Sequence, residues 1–163
     1  MLKHKNKWLA AILAAGMLFN TAAVSAAEAN LTTATSQEWY EDKTDYSEYK
    51  AVEDLEISLA QSGQGNLLKG TKAINWTMPV GVILSTTQFW LSKNSTIAIG
   101  GSVSPANKTV KVGLIKPSGV KVYFNATGGF GHSYTVSNAG FYKVYAANDS
   151  NATVTLALAV AYD

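Results

Sequence analysis

The chain has 163 residues, a formal net charge of +2 and no cysteine, a length that suits one domain with an appendage and excludes multidomain machinery. The missing cysteine excludes a disulfide framework, a thiol nucleophile, a thiolate metal site and lipid attachment through sulfur. All 13 basic residues are lysine, so the bidentate guanidinium that reads phosphate, carboxylate and guanine is absent too.

Residues 1–29 have the pattern of a signal peptide. Lys3, His4, Lys5 and Lys7 form a positive start, Trp8 to Phe19 an apolar run, and Val24-Ser25-Ala26 or Ala27-Glu28-Ala29 a small-residue cleavage site. A spanning helix needs about 20 apolar residues, so the run is too short for a permanent membrane anchor. The expectation is a secreted, extracellular protein. Its leader carries away Lys3, Lys5 and Lys7 and leaves the rest nearly neutral.

That near-neutrality hides a split. Nine of the 11 acidic residues lie within residues 28–56, which hold only Lys43 and Lys50, whereas residues 57–163 hold eight lysines, Asp149 and Asp163. Such a split marks either an acidic tail or two parts that attract each other. The acidic stretch also carries Trp39, Tyr40, Tyr46 and Tyr49, more aromatics than disorder usually holds. Thr35 with Glu38 fits a capping box, and Tyr46, Tyr49, Val52, Leu55 and Leu59 fall at helical spacing. Leu55, Ile57 and Leu59 also alternate as a strand would, so helix and strand both stand. Gly63 and Gly65 then break the pattern. Residues 30–70 are therefore an acidic, partly helical or flexible arm with a linker, expected to dock in part against the basic half.

From Thr71 onward the pattern is β. Ile97 and Ile99 alternate with small or polar neighbours, and Pro105 and Asn107 mark a turn. Val110, Val112 and Leu114 alternate with Lys111 and Gly113, and Lys116-Pro117-Ser118-Gly119 is turn chemistry. Val120, Val122 and Phe124 follow. Gly128 to Gly131 reads as a flexible connection, and strands are expected over 132–136, 141–147 and 154–160. Short strands at this spacing indicate an all-β antiparallel sandwich, jelly-roll or immunoglobulin-like, over residues 71–163.

Val112-Gly113-Leu114-Ile115-Lys116-Pro117-Ser118-Gly119 resembles the strand and turn of bacterial prepeptidase C-terminal-type β-sandwich modules. Tyr134-Thr135-Val136 with Ala139 to Tyr145 resembles their late strand pair, and Gly140 to Val144 is similar to the tyrosine corner of immunoglobulin-like sandwiches. The resemblance spans roughly residues 95–161. It implies a secreted module that assists binding, with the Tyr142 hydroxyl bonded to upstream backbone. The acidic clusters that bind calcium in some related sandwiches have no counterpart in this half.

Catalytic chemistry finds little support. Beyond the leader His132 is the one histidine; a set with Asp149 and a serine is formally open, but no nucleophile elbow accompanies it. A glycosidase needs two rigidly held carboxylates, and the β half offers only Asp149 and Asp163. One histidine cannot make a zinc site, and Asn148 to Asn151 reads as a turn rather than a calcium cage. Sparse lysines without arginine speak against nucleic acid. No catalytic residue, metal or cofactor is therefore expected.

Surface recognition remains. If the valines of these strands point inward, Lys111, Lys121 and Lys143 point outward and share that side with Tyr123, Phe141 and Tyr145. Phe130, at the tip of the glycine-rich connection, adds to them. These aromatics, with Lys121 and Lys143, form a candidate ligand surface, unless the arm or another sheet covers it and makes it core. The reading is a non-enzymatic binding module for cell-envelope or extracellular polysaccharide. The alternatives are a cell-surface assembly protein whose opposite charges pair within or between molecules, and a precursor activated by loss of its arm.

Overall fold

A computed structural model describes residues 38–55 and 71–162. The leader, the cap at Thr35 and the linker glycines Gly63 and Gly65 lie outside the described residues. Within them runs a succession of strands: β1 (Tyr40–Glu41), β2 (Lys50–Leu55), β3 (Thr71–Met78), β4 (Val82–Thr86), β5 (Phe89–Leu91), β6 (Thr96–Ser104), β7 (Thr109–Ile115), β8 (Lys121–Thr127), β9 (Gly129–Thr135), β10 (Gly140–Asn148) and β11 (Val154–Tyr162).

The strands form two sheets packed as a sandwich. One runs β1-β8-β7-β10-β4-β2, with β5 beside the start of β10; the other runs β3-β11-β6-β9. Every ladder is antiparallel except β2 on β4. Alternation drives one side of each strand inward. Val110, Val112 and Leu114 of β7, Val122 and Phe124 of β8, and Tyr142, Val144 and Ala146 of β10 meet Leu156, Leu158 and Val160 of β11 and Ile97 and Ile99 of β6. Burying each large aliphatic side chain contributes about 1.5–3 kcal/mol.

Two polar devices close this core. Where β10 passes from β5 to β4, the Val144 N–H donates to Thr86 Oγ1 at 3.0 Å, filling the break in the ladder. The Tyr142 hydroxyl donates to the Asn138 carbonyl at 2.7 Å, the upstream backbone bond expected of a tyrosine corner.

The arm and the glycine-rich connection differ from expectation. Lys50–Leu55 is a strand because β4 offers a free edge, pairing Lys50 with Val82, Ala51 with Ile83 and Val52 with Leu84; backbone partners there outweigh the helical spacing. The flexible connection shrinks to Gly128, whose φ of 55° turns β8 into β9. Phe130 consequently lies on β9 and is buried in the core, not at a loop tip. Its ring fills the space beside Gly101, where a Cβ would stand 2.8 Å from Phe130 Cζ and 2.3 Å from the Ala157 carbonyl oxygen.

Candidate functional site

The same alternation that builds the core gives the seven-stranded sheet an outer face. It carries Lys111, Gly113 and Ile115 on β7, Lys121 and Tyr123 on β8, and Phe141, Lys143, Tyr145 and Ala147 on β10. Register places Tyr145, Gly113 and Tyr123 in one row across three strands and Phe141 directly beside Trp90 of β5. Gly113 lets that row close. A Cβ at 113 would stand 2.0 Å from the Val122 carbonyl oxygen and 2.8 Å from Tyr145 Cε1, so the Tyr145 ring lies over bare backbone.

One half of this face is covered by residues 38–55, which strap the sheet from edge to edge. Trp39 anchors the start: its indole N–H donates to the Ser133 carbonyl at 2.9 Å, and its ring meets Phe124 and Tyr134 edge-on at 5.0 and 5.1 Å. β1 then pairs with β8, setting Tyr40 against Tyr123. Beyond it the Asp42 side chain enters the sheet face and is 1% exposed. Its Oδ2 accepts the Tyr145 hydroxyl at 2.7 Å and the Tyr46 hydroxyl as well, and its Oδ1 accepts the Thr44 N–H at 3.1 Å. Lys111 Nζ lies 3.6 Å from Asp42 Oδ1 and 3.7 Å from Asp149 Oδ2, and it donates to Thr44 Oγ1 at 2.5 Å. Tyr46 and Tyr49 close over Ile83, Tyr145 and Ala147 as a small second core.

The electrostatics follow from this packing. Burial alone would raise the Asp42 carboxyl, but the hydrogen bonds from Tyr46, Tyr145 and Thr44 prevail and hold it below the ordinary carboxylate value. Burial and the bond to that carboxylate push both Tyr46 and Tyr145 well above an ordinary phenol. The ammonium of Lys111 also sits 5.0 Å from the Tyr123 ring centre, and that of Lys121 sits 5.6 Å from the Tyr46 ring, distances at which a cation is drawn to the ring face.

The other half is open. Trp90 and Phe141 are 54% and 52% exposed, their ring centres 5.1 Å apart and their planes at 79°. Two rings at this angle form a corner, one face presented flat and the other standing as a wall. The corner rests on the β5–β10 ladder, with Lys143 and its partner Ile115 beyond it.

The expected ligand set therefore divides. Phe141 is exposed, Lys143 half-buried near it, and Lys121 and Tyr123 half-buried at the strap. Tyr145 is wholly buried and Phe130 is in the main core, so neither lies on an open surface. Their expected exposure is corrected by the strap and by the start of β9. His132 is also inside, 4% exposed and stacked on Phe124 at 3.8 Å. It lies on β9 of the four-stranded sheet, whereas Asp149 reaches Lys111 beside the opposite sheet. The serine, histidine and aspartate set does not come together around them. Asn148 fastens its own turn, donating to the Met78 and Ala152 carbonyls at 2.8 Å each and accepting from Ser150. Trp90 and Asp42 were not singled out by sequence. A three-residue strand is too short to display alternation, and Asp42 is one acid among many until its partners are known.

No protein-family model matches the chain, and no curated protein matches it in sequence. Among solved structures the chain is similar to Aeromonas hydrophila PliG, a periplasmic lysozyme inhibitor of g-type lysozyme, at 9% identity and a TM-score of 0.49, over 70% of this chain and 98% of that one.

Proposed function

We propose that the protein is an exported, non-enzymatic binding module that engages a cell-envelope or extracellular polysaccharide through the Trp90–Phe141 corner. The observation that carries this reading is the exposure of both rings side by side on the β5–β10 ladder. A sugar ring has an apolar face that stacks on one aromatic plane, and a second ring at right angles limits its slide. Lys143 lies two residues along the same strand, placed for hydroxyl or carboxylate groups of the ligand. The ligand surface thus becomes Trp90, Phe141 and Lys143. The strap keeps Tyr123, Tyr145 and Lys121 engaged within the molecule, and burial of His132 leaves it without the access that general base chemistry requires.

Affinity electrophoresis through gels containing cell-wall and plant polysaccharides tests this directly. At least one polymer should retard the protein, and Trp90→Ala or Phe141→Ala should weaken retardation by roughly tenfold, the scale of losing one well-placed aromatic contact. Unchanged mobility across the panel overturns the polysaccharide reading.

A further inference from the structure

The strap and the surface beneath it have the character of a ligand and its receptor joined in one chain. The receptor is built by β7, β8 and β10: the Tyr145 hydroxyl, the Lys111 ammonium and the Tyr123 ring. The ligand is an acidic segment that supplies a carboxylate at Asp42, braced by the Tyr46 hydroxyl of the same segment, and a Tyr46 side chain packed against Ile83, Tyr145 and Ala147. The contacts that join strap to receptor are remote in sequence, 67 residues apart for Thr44 with Lys111 and 103 for Asp42 with Tyr145. The strap also supplies both edge strands of its sheet. Without it, β8 and β4 present unpaired backbone, which templates pairing with another chain.

We propose that this surface also accepts the strap of a second copy, so that the protein associates by exchanging residues 38–55. Each copy carries both halves of the contact, so exchange keeps every hydrogen bond, and concentration decides between docking at home and docking on a neighbour. Length permits it. Residues 56–70 join β2 to β3, and a chain of that length spans up to about 50 Å, against about 24 Å for the width of a six-strand sheet. Charge favours it too, because the strap lies in the acidic stretch and the receptor in the lysine-bearing half. The association is independent of the Trp90–Phe141 corner, which the strap leaves open.

Disulfide trapping in the full chain reads the docking directly, since the protein has no cysteine of its own and Tyr40 faces Tyr123 across the β1–β8 ladder. The double variant Y40C/Y123C should close within one molecule on oxidation. Singly substituted Y40C and Y123C chains, mixed in equal amounts and incubated at high concentration before oxidation, should give a heterodimer of doubled mass. Peptide mapping should place its link between those two positions. Closure of the double variant without that heterodimer means docking at home only and overturns the proposal. Failure of the double variant to close removes the docking itself and overturns it as well. Unsubstituted protein gives a second measurement: light and isotopically heavy chains incubated together should yield mixed dimers by native mass, rising with concentration. Monomers alone at every concentration overturn exchange. Retardation by polysaccharide is unaffected by either result, so the two readings fail separately.

Discussion

Phe141 and Tyr145 stand on the same strand and the same face, yet one is 52% exposed and the other 0%. Alternation assigns each of them to the outer side and says nothing more. What separates them is a segment about a hundred residues earlier, and the chemistry of each ring suits its fate. A buried phenol must place its hydroxyl, and Tyr145 does so on Asp42. Phe141 has no polar atom to satisfy, so it can stand open or be covered by a ligand without any network to complete. The strapped half is held by polar groups that require one another. The open half is held by its own ladder and by the core packing of Phe89, Leu91 and Tyr142 on the opposite side of the same strands.

Removing the carboxylate is the most forceful way to break that contrast. In Asp42→Ala the Tyr145 and Tyr46 hydroxyls and the Lys111 ammonium lose their shared acceptor while still enclosed. A loss of about 3 kcal/mol is expected from stranding such groups, seen as a lower denaturant midpoint. Hydrogen exchange should rise first over residues 38–55 and 82–86, the strap and the edge it covers. Crowding the row from beneath comes next. Gly113→Ala drives a methyl toward the Val122 carbonyl and the Tyr145 ring, and overpacking of this kind costs about 2 kcal/mol. A thermal midpoint equal to that of the unsubstituted protein would mean the Tyr145 ring does not rest on Gly113.

The contrast also shows which parts of the molecule were legible in sequence. β7, β8, β10 and β11 follow from runs such as Val110-Lys111-Val112 and Leu156-Ala157-Leu158, where one side is branched and the other small or charged. The Tyr142 bond to upstream backbone is what the similarity of Gly140 to Val144 to a tyrosine corner implies, and a buried tyrosine has to place its hydroxyl. β2 was ambiguous because Tyr46, Tyr49 and Val52 satisfy a helical period, and the strand forms only because β4 has an edge to give. Phe130 was misplaced because glycines on either side look like a loop, whereas here glycine lets a phenylalanine ring fill the space at Gly101. The binding corner was half legible. Phe141 alternates visibly, but Trp90 acquires its meaning from a ladder with a strand fifty residues away, and no local pattern encodes that pairing.

Acid separates the two layers of the molecule by pH. Burial holds the His132 imidazole below its ordinary value of 6.5, so the unfolded chain takes up a proton that the folded one resists. Its contribution is intact above about pH 6.5 and declines as pH falls below it. Asp42 is likewise held below its ordinary 3.8, so its contribution is intact above that value and is lost as pH drops through the lower folded one. Unfolding midpoints should therefore slip from about pH 6 downward while strap protection persists, with the strap itself loosening only below about pH 4. Each group adds at most about 1.4 kcal/mol per pH unit. His132→Phe should erase the upper step, and a midpoint curve unchanged by that variant would remove the imidazole from the explanation.

The smallest stability effect belongs to the open half, and its smallness is what makes it informative. Trp90 and Phe141 are exposed, touch each other edge-on and leave the main core to Phe89, Leu91 and Tyr142 on the opposite side of the same strands. Exposed substitutions of this kind shift stability by about 0.5 kcal/mol or less, so Trp90→Ala and Phe141→Ala should unfold at nearly the same denaturant concentration as the unsubstituted protein. The same two variants should lose most of any polysaccharide retardation. Asp42→Ala should do the reverse, lowering stability while leaving the Trp90–Phe141 corner and its retardation in place. If the corner variants instead destabilise the fold by as much as the strap variant, both rings serve packing, and the two halves of the face are one structural layer rather than a fastening beside a binding surface.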